Sequence, residues 1–482
     1  MRLLLLCASS VASLVERESL VERALTEWVS VGSACEVLTV GGLRGLYARE
    51  AIPAGSELLL VDEKFMITSE RVAGHPHVIA AIEALDGAEI NYPKSSLFTI
   101  FLLAERAAGD ASAFAPYIAS LPMSLAGSPY FWDDGSEEMR LLVGTSLPSK
   151  IAEARVDTRF DYALIVEKYP IFGELHSLAD WEWAYACVSS RVFNVEIDGA
   201  NTRALVPVAD LFNHGRESTV TWFFDSTRRT FTIPSTRNIQ KGSEIILSYG
   251  QKSNSDLLLH YGFTVDDNSD GQSLQVYNTL RLSLGDVRDM IPKTIWTRIK
   301  QQRLRLKGST VLETTTWYSA EQTREVFSYL RFIHAEGVEL DVVPEEIYRT
   351  TLADTPVSPL SIRNELSVLA TLAVIAHNAL ELLSNSQTEL ETSKPNFNVA
   401  NARLVVAGEI DVARYYLRLE RDVSSIANAV EARELIDRFN GLNQTHEDAA
   451  VAHYLSAVVL ELGDFTRVKE TPRRGHFRAY EL

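Results

Sequence analysis

Three cysteines, Cys7, Cys35 and Cys187, are all that this chain of 482 residues carries. Widely spaced and odd in number, they can build neither a disulfide framework nor a thiolate zinc site, and they point to a reducing compartment. Positive charge is also scarce, with 46 Lys and Arg against 64 Asp and Glu and a formal net charge of −18. That balance argues against broad nucleic-acid binding and suits a basic partner such as a Lys-rich segment. No apolar run reaches the roughly 20 residues of a membrane-spanning helix. The most apolar stretch, Leu366 to Leu380, is flanked by Arg363, Glu365 and Glu381 and reads as a buried helix, so stable membrane insertion is not expected. The chain has no G-x-S-x-G, phosphate loop or dinucleotide fingerprint, which leaves acyl, phosphate and hydride chemistry without support. His214 has Asp210 and Glu217 as its close acidic neighbours and no second His at ligand spacing, so no metal site is expected.

What is present is ample material for cores. Apolar residues make up 46% of a chain too long for one ordinary domain, so two or three domains are expected. Met1-Arg2 followed by the apolar or small residues Leu3 to Val15 is compatible with a cleaved leader, against which stands a helix starting nearby, so residues 1–19 are open between a leader and a disordered N-terminus. An amphipathic helix is expected over Glu16 to Ser30, with Leu20, Val21, Leu25, Trp28 and Val29 on one face. From Cys35 to Val61, short β-prone runs cut by Gly41-Gly42, Gly45 and Pro53-Ala54-Gly55 predict a sheet of small hairpins. From about Gly74 to Cys187 the pattern turns helical, with helices over Ser95 to Ala108 and Asp180 to Val195. Phe114 to Leu121 and Gly127 to Trp132 hold aromatics expected to serve as core. Thr219 to Asp225 and Arg229 to Pro234 predict a hairpin turning at Ser226-Thr227-Arg228. Beyond Asp270 long helical runs follow, Val287 to Arg305, Ala320 to His334, Ser361 to Leu383 and Val399 to Phe439. Ser384 to Asn398 reads as a loop or disordered hinge within them, and Lys469 to Arg478 as part of a solvated tail.

The densest chemistry lies between Ala204 and Phe263. Leu205, Val206 and Val208 lead into Asp210, Asn213 and His214, so polar groups end a run that would otherwise be core. Ile245, Ile246 and Leu247 form a β-prone run that stops at Ser248-Tyr249-Gly250. Tyr261-Gly262 closes a short helix from Ser255, with Gly262 placed as its C-cap. Taken singly, these pieces read as surface phenols and turn chemistry. In this order, N-H, then S-Y-G, then K-S-N-x-x-L-L-L-x-Y-G-F, the sequence resembles the SET-domain methyltransferases. Within them it is similar to the branch typified by the plant Rubisco large-subunit lysine methyltransferase. Ser189-Ser190-Arg191-Val192-Phe193 resembles the S-R-x-F motif of that branch. Gly41 to Gly45 resembles its first cofactor loop, with Gly42 where the family often has Glu.

The resemblance implies an α+β chain: a SET fold of small twisted β-sheets over residues 20–275 with a helical insert at about 74–187. It implies an all-α substrate-binding domain over 285–465, before a tail at 466–482. The implied cofactor is S-adenosylmethionine, held by Leu43, Arg44, Gly45, Arg191, Asn213 and His214. Tyr249 is the implied catalytic residue, and Ser190, Phe193, Asp210, Tyr249, Tyr261 and Phe263 would meet the substrate. The implied activity is in-line methyl transfer to the lysine of a protein substrate, histone or non-histone, by a monomer. One branch of the family methylates actin histidine and carries a smaller polar residue where Phe193 falls; Phe leaves less room for an imidazole and favours lysine. The alternatives are that histidine activity, or a catalytically silent SET-fold binding module. The expected location is cytoplasmic or nuclear, or a plastid if Met1 to Val15 is a leader.

Overall fold

The computed structural model describes residues 29–31, 34–40, 43–85, 94–269, 277–283, 311–340, 357–427 and 446–462. The expected helix over Glu16 to Ser30, the Gly41-Gly42 pair, the helix over Val287 to Arg305 and the tail fall wholly or largely outside them. The chain divides into two compact bodies, one of residues 1–132, 149–251 and 256–263, the other of 133–148, 252–255 and 264–482.

The first body is built on short strands. β1 (Val29–Val31), β4 (Glu57–Asp62), β10 (Thr230–Pro234) and β9 (Phe223–Asp225) form a four-stranded antiparallel sheet in the order β1-β4-β10-β9. Val29 and Ser30 are therefore strand, pairing with Val61 and Leu60, rather than the end of a helix. The expected hairpin forms with Thr230 opposite Asp225, although its first arm starts only at Phe223. β2 (Cys35–Val40) and β3 (Leu43–Ala48) make a separate hairpin. β5 (Ile67–Thr68), β7 (Ala200–Leu205) and β6 (Val192–Ile197) make a third sheet. Between β5 and β6 the chain is helical: α1 (Ser69–Ala73), α2 (Pro76–Leu85), α3 (Lys94–Ala108), α4 (Ala115–Ser120), α5 (Glu137–Leu141), α6 (Leu147–Lys168), α7 (Pro170–Leu175) and α8 (Leu178–Ser189), of which α5 belongs to the second body. The Ser177 hydroxyl and the Asp180 carboxylate form a capping box that starts α8. The helix expected to reach Val195 stops at Ser189, and the β-branched Val192 and Val195 pair with Leu205 and Thr202 instead. One core unites the sheets and the insert through Val61, Met66, Phe98, Trp181, Val188, Leu205, Phe212 and Phe231.

The second body is mainly helical: α10 (Glu321–His334), α11 (Ile362–Thr392), α12 (Phe397–Ala427) and α13 (His446–Leu462). It is not all-α, because β12 (Leu280–Ser283) and β13 (Val311–Thr314) pair antiparallel. Nor is Ser384 to Asn398 a loop. α11 continues to Thr392, burying Leu383, Ser386 and Leu390, and α12 begins at Phe397. At 31 residues α11 is long and apolar enough to cross a membrane by composition, and it buries Val368, Leu369, Leu372 and Ala376 in the core of this body.

Candidate active site

Two chain segments meet side by side at the site. β8 (Asn213–His214) and β11 (Ile246–Leu247) run parallel, with Asn213 opposite Ile246 and His214 opposite Leu247. Gly215 follows because a Cβ there would stand 2.7 Å from the Ile246 Cγ2 methyl. β11 delivers Tyr249 next to the Asn-His pair. The Tyr249 amide donates to His214 Nδ1 at 3.0 Å, which makes that ring nitrogen an unprotonated acceptor. The Tyr249 hydroxyl donates to the Phe212 carbonyl at 2.7 Å. Burial, with help from the Asp210, Tyr261 and Glu244 charges, pushes the Tyr249 phenol well above its usual value against the opposing pull of Arg191. The phenol therefore holds its proton and commits it to one carbonyl, leaving the oxygen's remaining lone-pair capacity for another group.

Rings gather around it. His214 stacks on Tyr249 with centroids 5.1 Å apart, Tyr261 lies 5.0 Å and Phe263 6.2 Å from Tyr249, and Phe263 also faces His214 and Tyr261. α9 (Asn254–Tyr261) brings the last two, and Gly262 turns the chain between them at φ +80°. Phe193 is not one of these rings. It sits on β6 and packs edge-on against Trp222 and Phe231, at 5.7 and 5.3 Å, while Tyr261 and Phe263 are the rings beside Tyr249.

Asp210 lies on a single 3-10 turn, Ala209–Leu211, launched by Val208 at φ +74°. A buried β-branched residue in that region is an outlier, of the kind that concentrates at functional sites. Burial raises the Asp210 carboxyl above its usual range, opposed by Arg191, a hydrogen bond from Tyr117 and Arg44. Tyr117 Oη donates to Asp210 Oδ2 at 3.0 Å, and Arg191 Nε stands 3.5 Å from the same oxygen. Arg191 also bonds Ser190 Oγ at 2.6 Å, and Ser190 Oγ in turn donates to the Ala186 carbonyl at 2.7 Å. Ser190 thus positions Arg191 at the end of α8. Tyr117, from α4 of the insert, was not among the expected site residues.

The Leu43–Gly45 segment joins from β3. Asn213 Nδ2 donates to the Arg44 carbonyl at 3.0 Å, and Arg44 reaches the Ser120 carbonyl at 3.0 Å. Leu43 is exposed at the start of the strand. Gly45 is required by proximity, since a Cβ there would come within 2.7 Å of Asn213 Nδ2. Among the described residues no group of three or more His, Cys, Asp or Glu is arranged to hold a metal ion. A cavity of about 290 Å³ belongs to the second body, lined by Leu390, Arg403, Val406, Ile410 and Arg414, and takes no part in this cluster.

Residues 43–250 of the chain match the family described as SET domain. The chain resembles the Rubisco lysine methyltransferase family named above. Over 89% of its length it superposes, with a TM-score of 0.63 and 19% identity, on the whole of a solved chain, the SET domain of LSMT bound to lysine and AdoHcy. Among curated relatives it is 25% identical to Protein SET DOMAIN GROUP 40 of Arabidopsis thaliana, over 52% of this chain and 55% of that one. It is 28% identical to the N-lysine methyltransferase SETD6 of Mus musculus, over 49% of this chain and 52% of that one. It is also 28% identical to an actin-histidine N-methyltransferase of Rhinolophus ferrumequinum, over 47% of this chain and 38% of that one. The chain thus spans about half or less of the length of these curated relatives. The α+β reading, with its small sheets, helical insert and helix-rich C-terminal part, agrees with this fold.

Proposed function

We propose that the chain is an S-adenosylmethionine-dependent protein-lysine N-methyltransferase, with Tyr249 as the catalytic residue. The observation that carries this reading is the Tyr249 phenol, pinned by the Phe212 carbonyl, stacked on His214 and walled by Tyr261 and Phe263. The donor set beside it fits the cofactor. Asn213 has both amide hydrogens engaged by Arg44 and Glu244, which leaves Oδ1 as an acceptor for an ammonium or amine, while Arg191 supplies a guanidinium for a carboxylate. Acceptor and cation together suit a zwitterionic amino-acid end. Leu43, Arg44, Gly45, Asn213, His214 and Arg191 would hold the cofactor, which when bound supplies an electrophilic methyl group on a sulfonium sulfur.

The chain's own work is to prepare the amine. A lysine side chain has a pKa near ~10.4, so roughly one in a few thousand is neutral at pH 7. An aromatic-walled site disfavours the ammonium and raises that fraction. Tyr249 cannot serve as a base, since its phenol is pushed up rather than down. Its oxygen instead accepts from the incoming amine and fixes its direction, a contribution of alignment and electrostatics. The protein partner is expected to be basic, in keeping with the chain's net charge of −18, and the second body is its candidate docking domain.

A histidine acceptor is the second reading, favoured by the similarity to an actin-histidine enzyme. Transfer of labelled methyl into a whole-cell extract, with the labelled residue identified by mass spectrometry, separates the readings. Label on lysine that falls about 10²-fold or more in Tyr249→Phe is expected, the scale of removing one oriented polar group. Label on histidine moves the assignment to the second reading. No label, despite cofactor binding, would leave a SET-fold binding module.

A further inference from the structure

Glu244 stands five residues before Tyr249, at the point where the chain bridges antiparallel to Tyr47 on β3. The Ala48 amide bonds the Ser243 carbonyl and the Ile245 amide bonds the Leu46 carbonyl, so the backbone on either side is fixed. Glu244 Oε1 accepts from Asn213 Nδ2 at 2.7 Å. The Tyr47 phenol is pushed up by burial and by the Glu244 charge near it. The second Asn213 amide hydrogen goes to the Arg44 carbonyl. Both partners of Nδ2 are pure acceptors, which settles the direction of the amide: the nitrogen faces Arg44 and Glu244, and Oδ1 faces away from them. The fit has no slack, because a Cβ at Gly45 would stand 2.5 Å from Glu244 Oε1 and 2.7 Å from Asn213 Nδ2.

We propose that Glu244 is a positioning residue for the methyl-donor site, holding the Asn213 amide so that Oδ1 is offered to the cationic, N–H-bearing end of the bound cofactor. This rests on the reading of the site given above. Without Glu244 the amide can turn over and present its NH₂, a donor that repels an ammonium instead of binding it. Removing an outer partner that orients a ligating group commonly weakens binding without touching the ligand itself.

The test is calorimetric titration of the full-length protein with S-adenosylhomocysteine, which needs no turnover. Glu244→Ala is expected to weaken binding by at least about tenfold, the scale of a charge-assisted hydrogen bond lost or inverted. Glu244→Gln keeps an acceptor oxygen at the same reach and is expected to stay within about threefold of the parent. In an Asn213→Ala background, Glu244→Ala should have no further effect, because the two act as one unit. Should Glu244→Ala fail to fold, Glu244→Ser, too short to reach Asn213, takes its place, and the melting temperature without ligand reports folding in every case. Parent-like binding by Glu244→Ala, equal losses in the Gln and Ala variants, or full additivity with Asn213→Ala would each overturn the proposal. A parent protein that binds no S-adenosylhomocysteine would instead overturn the reading of the site, and this proposal with it.

Discussion

The Tyr249 hydroxyl has one proton and gives it to the Phe212 carbonyl, and burial keeps it there. A phenol whose pKa is raised stays protonated to higher pH, so it contributes no titration across the range where the lysine substrate does. The logarithm of kcat/KM should therefore climb with a slope near one from about pH 7 towards the lysine value near 10.4, without a break from Tyr249. A pH–rate profile that levels off near pH 8 would make Tyr249 a titrating base and sink the alignment role. Tyr249→Phe should lower the rate at every pH and keep the slope. At this scale much of the site was legible: Asn213, His214 and Tyr249 announce themselves as polar groups ending apolar runs. Glu244 and Tyr117 do not. Glu244 follows a Lys-Gly turn and looks like an exposed strand residue, and only the non-local bridge to Tyr47 turns it towards Asn213. Tyr117 lies 93 residues from Asp210 in a separate helix, a distance no local pattern spans.

At the scale of elements, the errors have two causes, composition read in place of periodicity and β-branched propensity overlooked. Ser384 to Asn398 is rich in Ser, Thr, Asn and Glu, which suggested a loop. Leu383, Ser386 and Leu390 nevertheless recur at spacings of three and four, and these are the buried residues of the last turns of α11. Val192 and Val195 were absorbed into a helix although β-branched residues after a Ser-Ser pair favour a strand. Gly262 was legible, and its position carries a prediction. It ends α9 with its amide bonded to the Leu258 carbonyl, and a Cβ there would meet the Gly127 carbonyl carbon at 3.1 Å and the Ser128 nitrogen at 3.2 Å. Gly262→Ala adds a left-handed penalty of roughly 1–2 kcal/mol to a contact with backbone that cannot swing aside. A loss of about 2 kcal/mol in urea unfolding is expected, with activity falling further because Tyr261 and Phe263 flank the turn. Unchanged stability would mean that this backbone yields more readily than its packing indicates.

At the scale of the whole molecule, composition correctly limited the chain to a cysteine-poor globular protein with several cores, and each of the two bodies has one. It gave no sign of what the second core contains. Arg331 and Glu365 are both almost fully buried and paired twice, Nε to Oε2 at 2.9 Å and Nη2 to Oε1 at 2.7 Å. The Val357 carbonyl takes a third guanidinium hydrogen at 3.0 Å, and the Tyr454 hydroxyl donates to Glu365 Oε1 at 2.8 Å. Tyr318 and Phe327 lie against the guanidinium at 5.4 and 5.3 Å. In the sequence Arg331 falls inside the helical run Ala320 to His334 and Glu365 at the flank of an apolar stretch, with nothing to pair them. Their pairing across 34 residues is what makes burial tolerable. Taking two charges out of water consumes most of what their attraction returns, so the intact pair adds little net stability. Breaking it from one side is another matter, because the partner stays buried with its charge. Arg331→Met should cost about 3–5 kcal/mol in urea unfolding followed by circular dichroism, while Arg331→Met with Glu365→Gln should recover a substantial part of that loss. A double variant as unstable as the sum of its parts would show that the two side chains contribute independently, and that the geometry of the pair does not govern this core.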